Sequence, residues 1–233
     1  MIATFGKRVL LAWVAEARAI KASEDPFTDY IIGETEEGPI RDPIYYELRS
    51  VESSKLAPGI TPGIGKMFAE CLDELIVHYR LPRTRTDILG VPYGADMFAE
   101  ALSSRHGSNP IRLIKDINSG RITGFRNTEP PPPGTRFIIV ENVSVDGKQI
   151  FATIQFLHNM KRGYEIAGIF SCIDRECGAR EALGKLGYKL RSVISHGFAL
   201  DFLEETHFHK EACERSRKNA ELLRSLWRTR PLL

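Results

Sequence analysis

Phe137-Ile138-Ile139-Val140-Glu141-Asn142-Val143-Ser144-Val145-Asp146-Gly147-Lys148-Gln149 opens with four apolar residues in a row, turns polar at Glu141, and meets a glycine just before the amphipathic stretch Ile150 to Met160. A short run of consecutive β-favouring residues predicts a strand buried on both faces. The polar end and the Gly-containing turn predict a loop feeding a helix N-terminus, where main-chain N–H groups are left over to meet an anion. In an open α/β sheet such a loop lies at the carboxyl end of its strand, where ligands bind. Every βαβ unit has a polar turn there, so the segment speaks to fold class before it speaks to function.

The same rhythm extends in both directions. Ile88 to Val91 is followed by a helical pattern from Ala95 to Ser103, Ile166 to Ile173 by one from Ala179 to Leu186, and Leu190 to Ile194 closes the series. Strands alternating with helices predict a parallel sheet with helices on its faces, an α/β fold. Upstream, Val9 to Ala22 carries apolar residues at helical spacing, Pro43 to Leu48 is short and extended, and Ile60 to Tyr79 repeats its apolar residues every three or four positions. Between Ile111 and Gly134, Asn118, Gly120, Gly124 and the Pro130 to Pro133 run forbid a helix and predict a loop or a loose hairpin. Phe198 to Trp227 is a final helical region with the look of an appendage. Three units follow: 1–58, an N-terminal helix and the segment after it; 59–197, the α/β core; 198–233, a C-terminal helical extension.

The chain has 233 residues, 42% of them hydrophobic, enough for a substantial core. Thirty-two Lys and Arg against 30 Asp and Glu leave +2, which argues against a nucleic-acid module. No apolar run approaches the roughly 20 residues needed to cross a bilayer, so a cytoplasmic, uncleaved chain with no membrane partner is expected. Cys71, Cys172, Cys177 and Cys213 lack paired spacing and read as free thiols. His207 and His209, two apart, would splay on a helix, so no metal pair and no protein-held metal is expected.

With these residues in place, the 137–149 segment resembles the phosphoribosyl-pyrophosphate signature of the type I phosphoribosyltransferases, orotate phosphoribosyltransferases in particular. Four more segments match in the same order. Asp42-Pro43-Ile44-Tyr45-Tyr46-Glu47-Leu48-Arg49 is similar to the Ser-Pro-aromatic segment, and Gly90-Val91-Pro92-Tyr93-Gly94-Ala95 to the pyrophosphate loop. Asp174-Arg175-Glu176-Cys177-Gly178 and Lys185-Leu186-Gly187-Tyr188 complete the series. The resemblance covers roughly Gly38 to Ser195. It implies a central five-stranded parallel sheet flanked by helices, an N-terminal hood, an extra C-terminal helix and a homodimer. It also implies transfer of ribose 5-phosphate from phosphoribosyl pyrophosphate to orotate or a related base in pyrimidine nucleotide synthesis, with Mg²⁺ carried in through the substrate.

The resemblance assigns roles residue by residue. Glu141 would meet the ribose hydroxyls, and Asn142 would stand beside it. Val145, Asp146, Gly147, Lys148 and Gln149 would form the phosphate turn. Tyr93 and Gly94 would offer N–H groups to pyrophosphate, and Lys115 would be the loop cation. Tyr45, Tyr46 and Arg175 would receive the base, the Arg175 guanidinium donating to the orotate carboxylate. Each also has an ordinary reading: a solvated acid at Glu141, a salt bridge of Arg175 with Asp174 or Glu176, core packing of the tyrosines, a plain turn at Pro92-Tyr93-Gly94, and a solvated loop at Lys115.

This sequence departs from the signature at several points. Asn142 replaces the second acid, Val145 a threonine, and Lys148 and Gln149 small residues. Asp146 puts a carboxylate in the phosphate turn, and Glu36 or Glu37 stands where a lysine is expected. Two functions are therefore weighed: a working phosphoribosyltransferase, and a catalytically silent relative that senses a nucleotide or offers its C-terminal helix to a protein partner.

Overall fold

The computed structural model describes residues 4–16, 20–23, 30–35, 38–46, 48, 61–82, 86–92, 94–116, 118–126, 129–206 and 209–229. Five parallel strands form the central sheet: β5 (Thr86–Gly90), β6 (Pro110–Ile111), β9 (Arg136–Ser144), β10 (Glu165–Asp174) and β11 (Leu190–Ser195). Their spatial order is β6-β5-β9-β10-β11. The helices between and around them are α2 (Thr61–His78), α3 (Asp96–His106), α4 (Lys148–Asn159) and α5 (Ala179–Lys185). The α/β architecture expected from the strand–helix rhythm is the one observed.

Side-chain alternation along the strands builds two cores. On β9, Ile138 and Val140 face one cluster with Phe68, Leu72, Phe98 and Leu102, while Phe137 and Ile139 face another with Ile150, Ile154 and Leu183. β5 divides likewise, Ile88 to the first and Leu89 to the second. A strand buried on both faces needs no polar alternation, which is why its sequence reads as an unbroken apolar run.

The N-terminal part departs from expectation. Helix α1 spans Thr4–Glu16, and Ile20–Ala22, expected to continue it, is instead strand β1, paired antiparallel with β4 (Ile44–Tyr46). Ile20 is buried and Lys21 exposed, a period of two that three residues cannot distinguish from helical spacing. Strands β2 (Tyr30–Thr35) and β3 (Gly38–Asp42) form a hairpin that periodicity did not reveal. The Ile111–Gly134 region does contain a hairpin, β7 (Leu113–Lys115) with β8 (Ile122–Phe125), and Asp116 Oδ1 accepts the Ser119 N–H at 2.6 Å in its turn.

The C-terminal region is two helices rather than one, α6 (His196–Glu205) and α7 (Lys210–Thr229). Far from standing off, α7 buries Ala212, Cys213, Ser216, Ala220 and Leu223 against this same chain. Trp227 lies over Gly178, where an added Cβ would come within 2.2 Å of the indole. All four cysteines are buried free thiols. Among the described residues, no helix is long and apolar enough to cross a membrane.

Candidate active site

In the strand order β6-β5-β9, the chain leaves β5 toward one edge and returns at β9 on the other side, so the loops after β5 and β9 diverge and open a crevice. A cleft of about 390 Å³ lies there. It gathers, from five separate stretches of chain, Tyr45, Tyr46, Gly94, Lys115, Glu141, Asn142, Val145, Asp146, Gln149 and Arg175. Gly147 and Lys148 complete the turn between Asp146 and Gln149. Tyr93, Glu36 and Glu37 lie outside the described residues.

Gly147 is the N-cap of α4 and has φ +78°, a left-handed conformation that costs a side-chain-bearing residue strain. The turn thus aims the first N–H groups of α4 at the cleft, an arrangement suited to an anion. An anion is already there. Asp146 Oδ1 accepts the Lys148 N–H at 3.1 Å, and its Oδ2 lies 3.0 Å from Lys148 Nζ. The Asp146 side chain is only 20% exposed. The acid that departs from the signature turns inward and caps the helix.

Glu141 sits at the carboxyl half of β9, opposite Ser171 of β10, and is buried at 7% exposure. Its Oε1 accepts the Asn142 N–H at 3.0 Å. Asn142 Oδ1 accepts the Val143 N–H at 2.7 Å, which lays the amide over Gly94 so closely that a Cβ there would stand 2.6 Å from Nδ2. The absence of a side chain at Gly94 is what lets the two loops meet. Lys115, at the end of β7, reaches Gln149 Oε1 at 2.8 Å across the mouth of the cleft. Among the described residues, no group of three or more His, Cys, Asp or Glu could hold a metal ion. The carboxylate of Glu141 is a hard oxygen donor beside the cleft, suited to an ion that arrives already held by substrate oxygens.

Arg175 lines the cleft but is itself 1% exposed. Neither Asp174 nor Glu176 holds it: Asp174 pairs with Arg180, and Glu176 Oε2 accepts the Gly197 N–H at 2.8 Å. Its partner is Asp42, wholly buried, whose Oδ1 is 2.8 Å from Arg175 Nη2; the same nitrogen donates to the Ile44 carbonyl at 2.7 Å. Asp42 Oδ1 also accepts from Ser216 Oγ of α7 at 2.7 Å and from the Ile44 N–H at 2.8 Å.

Behind this pair runs a buried relay. Burial, then the charges of Arg175, Arg217 and Arg224, hold the His196 pKa well below the ordinary imidazole value, so the ring is neutral. Ser216 donates its proton to Asp42, so at 2.9 Å it accepts from His196 Nε2, and Nδ1 of the neutral ring accepts from the Tyr46 hydroxyl at 2.9 Å. Burial likewise raises the Tyr46 hydroxyl, and pushes the nearby Cys177 thiol up to about 12, an inert group. Of the two tyrosines, Tyr46 is core, and Tyr45 is half-buried and stacks on Tyr30 with ring centroids 4.7 Å apart.

The assembled cleft can be compared with known proteins. The orotate phosphoribosyltransferase of Pyrococcus abyssi is 31% identical to this chain over 131 residues, 56% of this chain and 67% of that one. The chain belongs to the orotate phosphoribosyltransferase family. Among solved structures, UMP synthase of Leishmania donovani matches with a TM-score of 0.71 at 21% identity, over 93% of this chain and 42% of that one. The orotate phosphoribosyltransferase of Aeropyrum pernix matches with a TM-score of 0.61 at 21% identity, over 85% of this chain and 99% of that one. At such identities these two bear on the fold alone, and they share it. No protein-family model matches the chain.

For a member of this family, the residues that sequence reading missed are Asp42, His196 and Ser216. Asp42 carried the only available signal: a charge at the position of the Ser-Pro serine. Ser216 carried none, since one polar residue on an amphipathic helix face is unremarkable until its partner, 174 residues away in sequence, is known.

Proposed function

We propose that this chain transfers ribose 5-phosphate from phosphoribosyl pyrophosphate to a pyrimidine base, orotate or a related ring, in pyrimidine nucleotide synthesis. The observation that carries the reading is convergence: Glu141, the α4 turn, Lys115 and Arg175, matched to the family's signature one by one, come together in a single cleft at the switch point of the sheet. Residues from three separate stretches of chain would not meet there by chance.

In such a transfer the bond from the anomeric carbon to pyrophosphate breaks as the bond to the ring nitrogen forms, and the ribose carbon becomes cationic in between. The protein's part is to position reactants and stabilise separating charge. Glu141 would hold the ribose hydroxyls and, through its negative charge, favour the cationic ribose. The N–H groups around Gly94 and the Lys115 ammonium would meet the departing pyrophosphate. Mg²⁺, when bound, would arrive on the substrate and neutralise pyrophosphate charge. Tyr45 would flank the ring.

A second reading, a catalytically silent relative, draws support from Asp146. A carboxylate on the Lys148 N–H competes with the 5′-phosphate for the donor that the turn exists to supply. One experiment separates the two: pyrophosphate release and nucleotide formation, followed with phosphoribosyl pyrophosphate, Mg²⁺ and either orotate or uracil. Turnover that is lost in Glu141→Gln supports transfer. Binding of phosphoribosyl pyrophosphate without release supports the silent reading.

A further inference from the structure

Resting on the reading of this cleft as a pyrimidine-ribosyl site, we infer that its base subsite takes a ring without a carboxylate, uracil-like rather than orotate-like, and that Asp42, held by Ser216 of α7, sets that preference. Arg175 is the only cation from the Asp174–Gly178 match that lines the cleft among the described residues, and its charge is spent. Asp42 stands 2.8 Å from its Nη2, wholly buried and not itself part of the cleft lining. A second carboxylate arriving from the cleft would meet a neutral pair, in which Asp42's repulsion offsets Arg175's attraction.

Three features make the pair a fixture of the fold. Asp42 Oδ1 accepts two hydrogen bonds, from Ser216 and the Ile44 N–H, and is ion-paired with Arg175 Nη2 at 2.8 Å. Ser216 is fixed in turn by His196, and His196 by Tyr46. The helix that carries Ser216 is anchored on both sides of it by buried Cys213 and Ala220. Freeing Arg175 for a substrate carboxylate would leave Asp42 buried and unpaired, the more expensive alternative. Yet the guanidinium is not saturated, since Arg175 Nε is buried with no hydrogen-bond partner. An uncharged ring carbonyl, which asks for a donor and brings no charge, is chemically the better match.

The test compares two probes that differ only in the carboxylate, uridine 5′-monophosphate and orotidine 5′-monophosphate, by calorimetric titration of the full chain. The same pair is titrated into Asp146→Ser, where the phosphate penalty common to both is lifted. The expected result is at least tenfold tighter binding of the uridine nucleotide, about 1.4 kcal/mol. Asp42→Asn should shrink that preference below threefold or reverse it. Should that chain fail to fold, the wild-type comparison still decides. Equal or tighter binding of the orotidine nucleotide overturns the inference and leaves the transferase reading standing. Binding of neither nucleotide, in either chain, overturns the pyrimidine-site reading and the inference with it.

Discussion

Replacing Asp146 by serine should strengthen phosphoribosyl-pyrophosphate binding, and the size of the gain follows from the geometry. Asp146 Oδ1 already takes the Lys148 N–H at 3.1 Å, so a phosphate oxygen seeking that donor comes within about 4 Å of the carboxylate. Two unit charges at about 4 Å repel by about 1 kcal/mol in bulk water and about 4 kcal/mol at an effective dielectric of 20. The side chain is 20% exposed, and Lys148 Nζ at 3.0 Å offsets part of its charge, which places the cost between those limits. A value of about 2 kcal/mol corresponds to about 30-fold in affinity. Serine keeps an oxygen that can cap the helix, so folding stability should change by less than about 1 kcal/mol. The assay is calorimetric titration with phosphoribosyl pyrophosphate and Mg²⁺, alongside a thermal melt. Unchanged affinity in a folded Asp146→Ser chain would refute the claim that this carboxylate occupies the phosphate position.

Glu141→Gln, which keeps shape and removes charge, should weaken Mg²⁺-dependent phosphoribosyl-pyrophosphate binding by about tenfold and abolish any turnover; binding is read in the same titration with and without Mg²⁺. Gly178→Ala combines a φ of +108° with a Cβ 2.2 Å from Trp227, and should destabilise by roughly 2–4 kcal/mol, lowering Tm by roughly 5–15 °C. A melt within 2 °C of wild type, in rough terms a loss under 1 kcal/mol, would mean that α7 does not pack on the Asp174–Gly178 segment. The buried neutral His196 makes stability depend on pH. Its folded pKa lies below the unfolded one, so the unfolded chain binds the extra proton; the stabilisation is complete above about pH 6.5 and is lost as pH falls, by at most about 1.4 kcal/mol per pH unit. Urea midpoints between pH 7.5 and 5.5 should fall more steeply for wild type than for His196→Gln, and parallel slopes would contradict the relay.

The central sheet was legible because burial on both faces writes itself as apolar runs: Phe137–Val140 and Ile166–Ile173 could be nothing else once helices followed them. The hood was not. Ile31 is exposed on the cleft rim, and the β2–β3 register shifts between Ile31 and Gly33, so the alternation that marks a hairpin is broken where it would be read. Residues Ile20–Ala22 continue the helical spacing of α1 by coincidence, and only pairing with β4 makes them a strand. In the cleft, Glu141, Lys115 and Arg175 were found through ordered motifs. What the motifs could not convey was orientation, whether Asp146 faces the turn or what neutralises Arg175. The first is settled by the local turn, where Asp146 meets Lys148, and the second by contacts of Asp42 with Arg175 and Ser216, residues that only the closed fold brings together.

The measurement that bears most directly on this account is an amide NMR titration of the chain with phosphoribosyl pyrophosphate and Mg²⁺. The account predicts perturbations concentrated at Val145 to Gln149, Glu141 and Gly94, larger in Asp146→Ser than in wild type. Saturating shifts that leave this turn untouched, or no shifts in either chain, would contradict it.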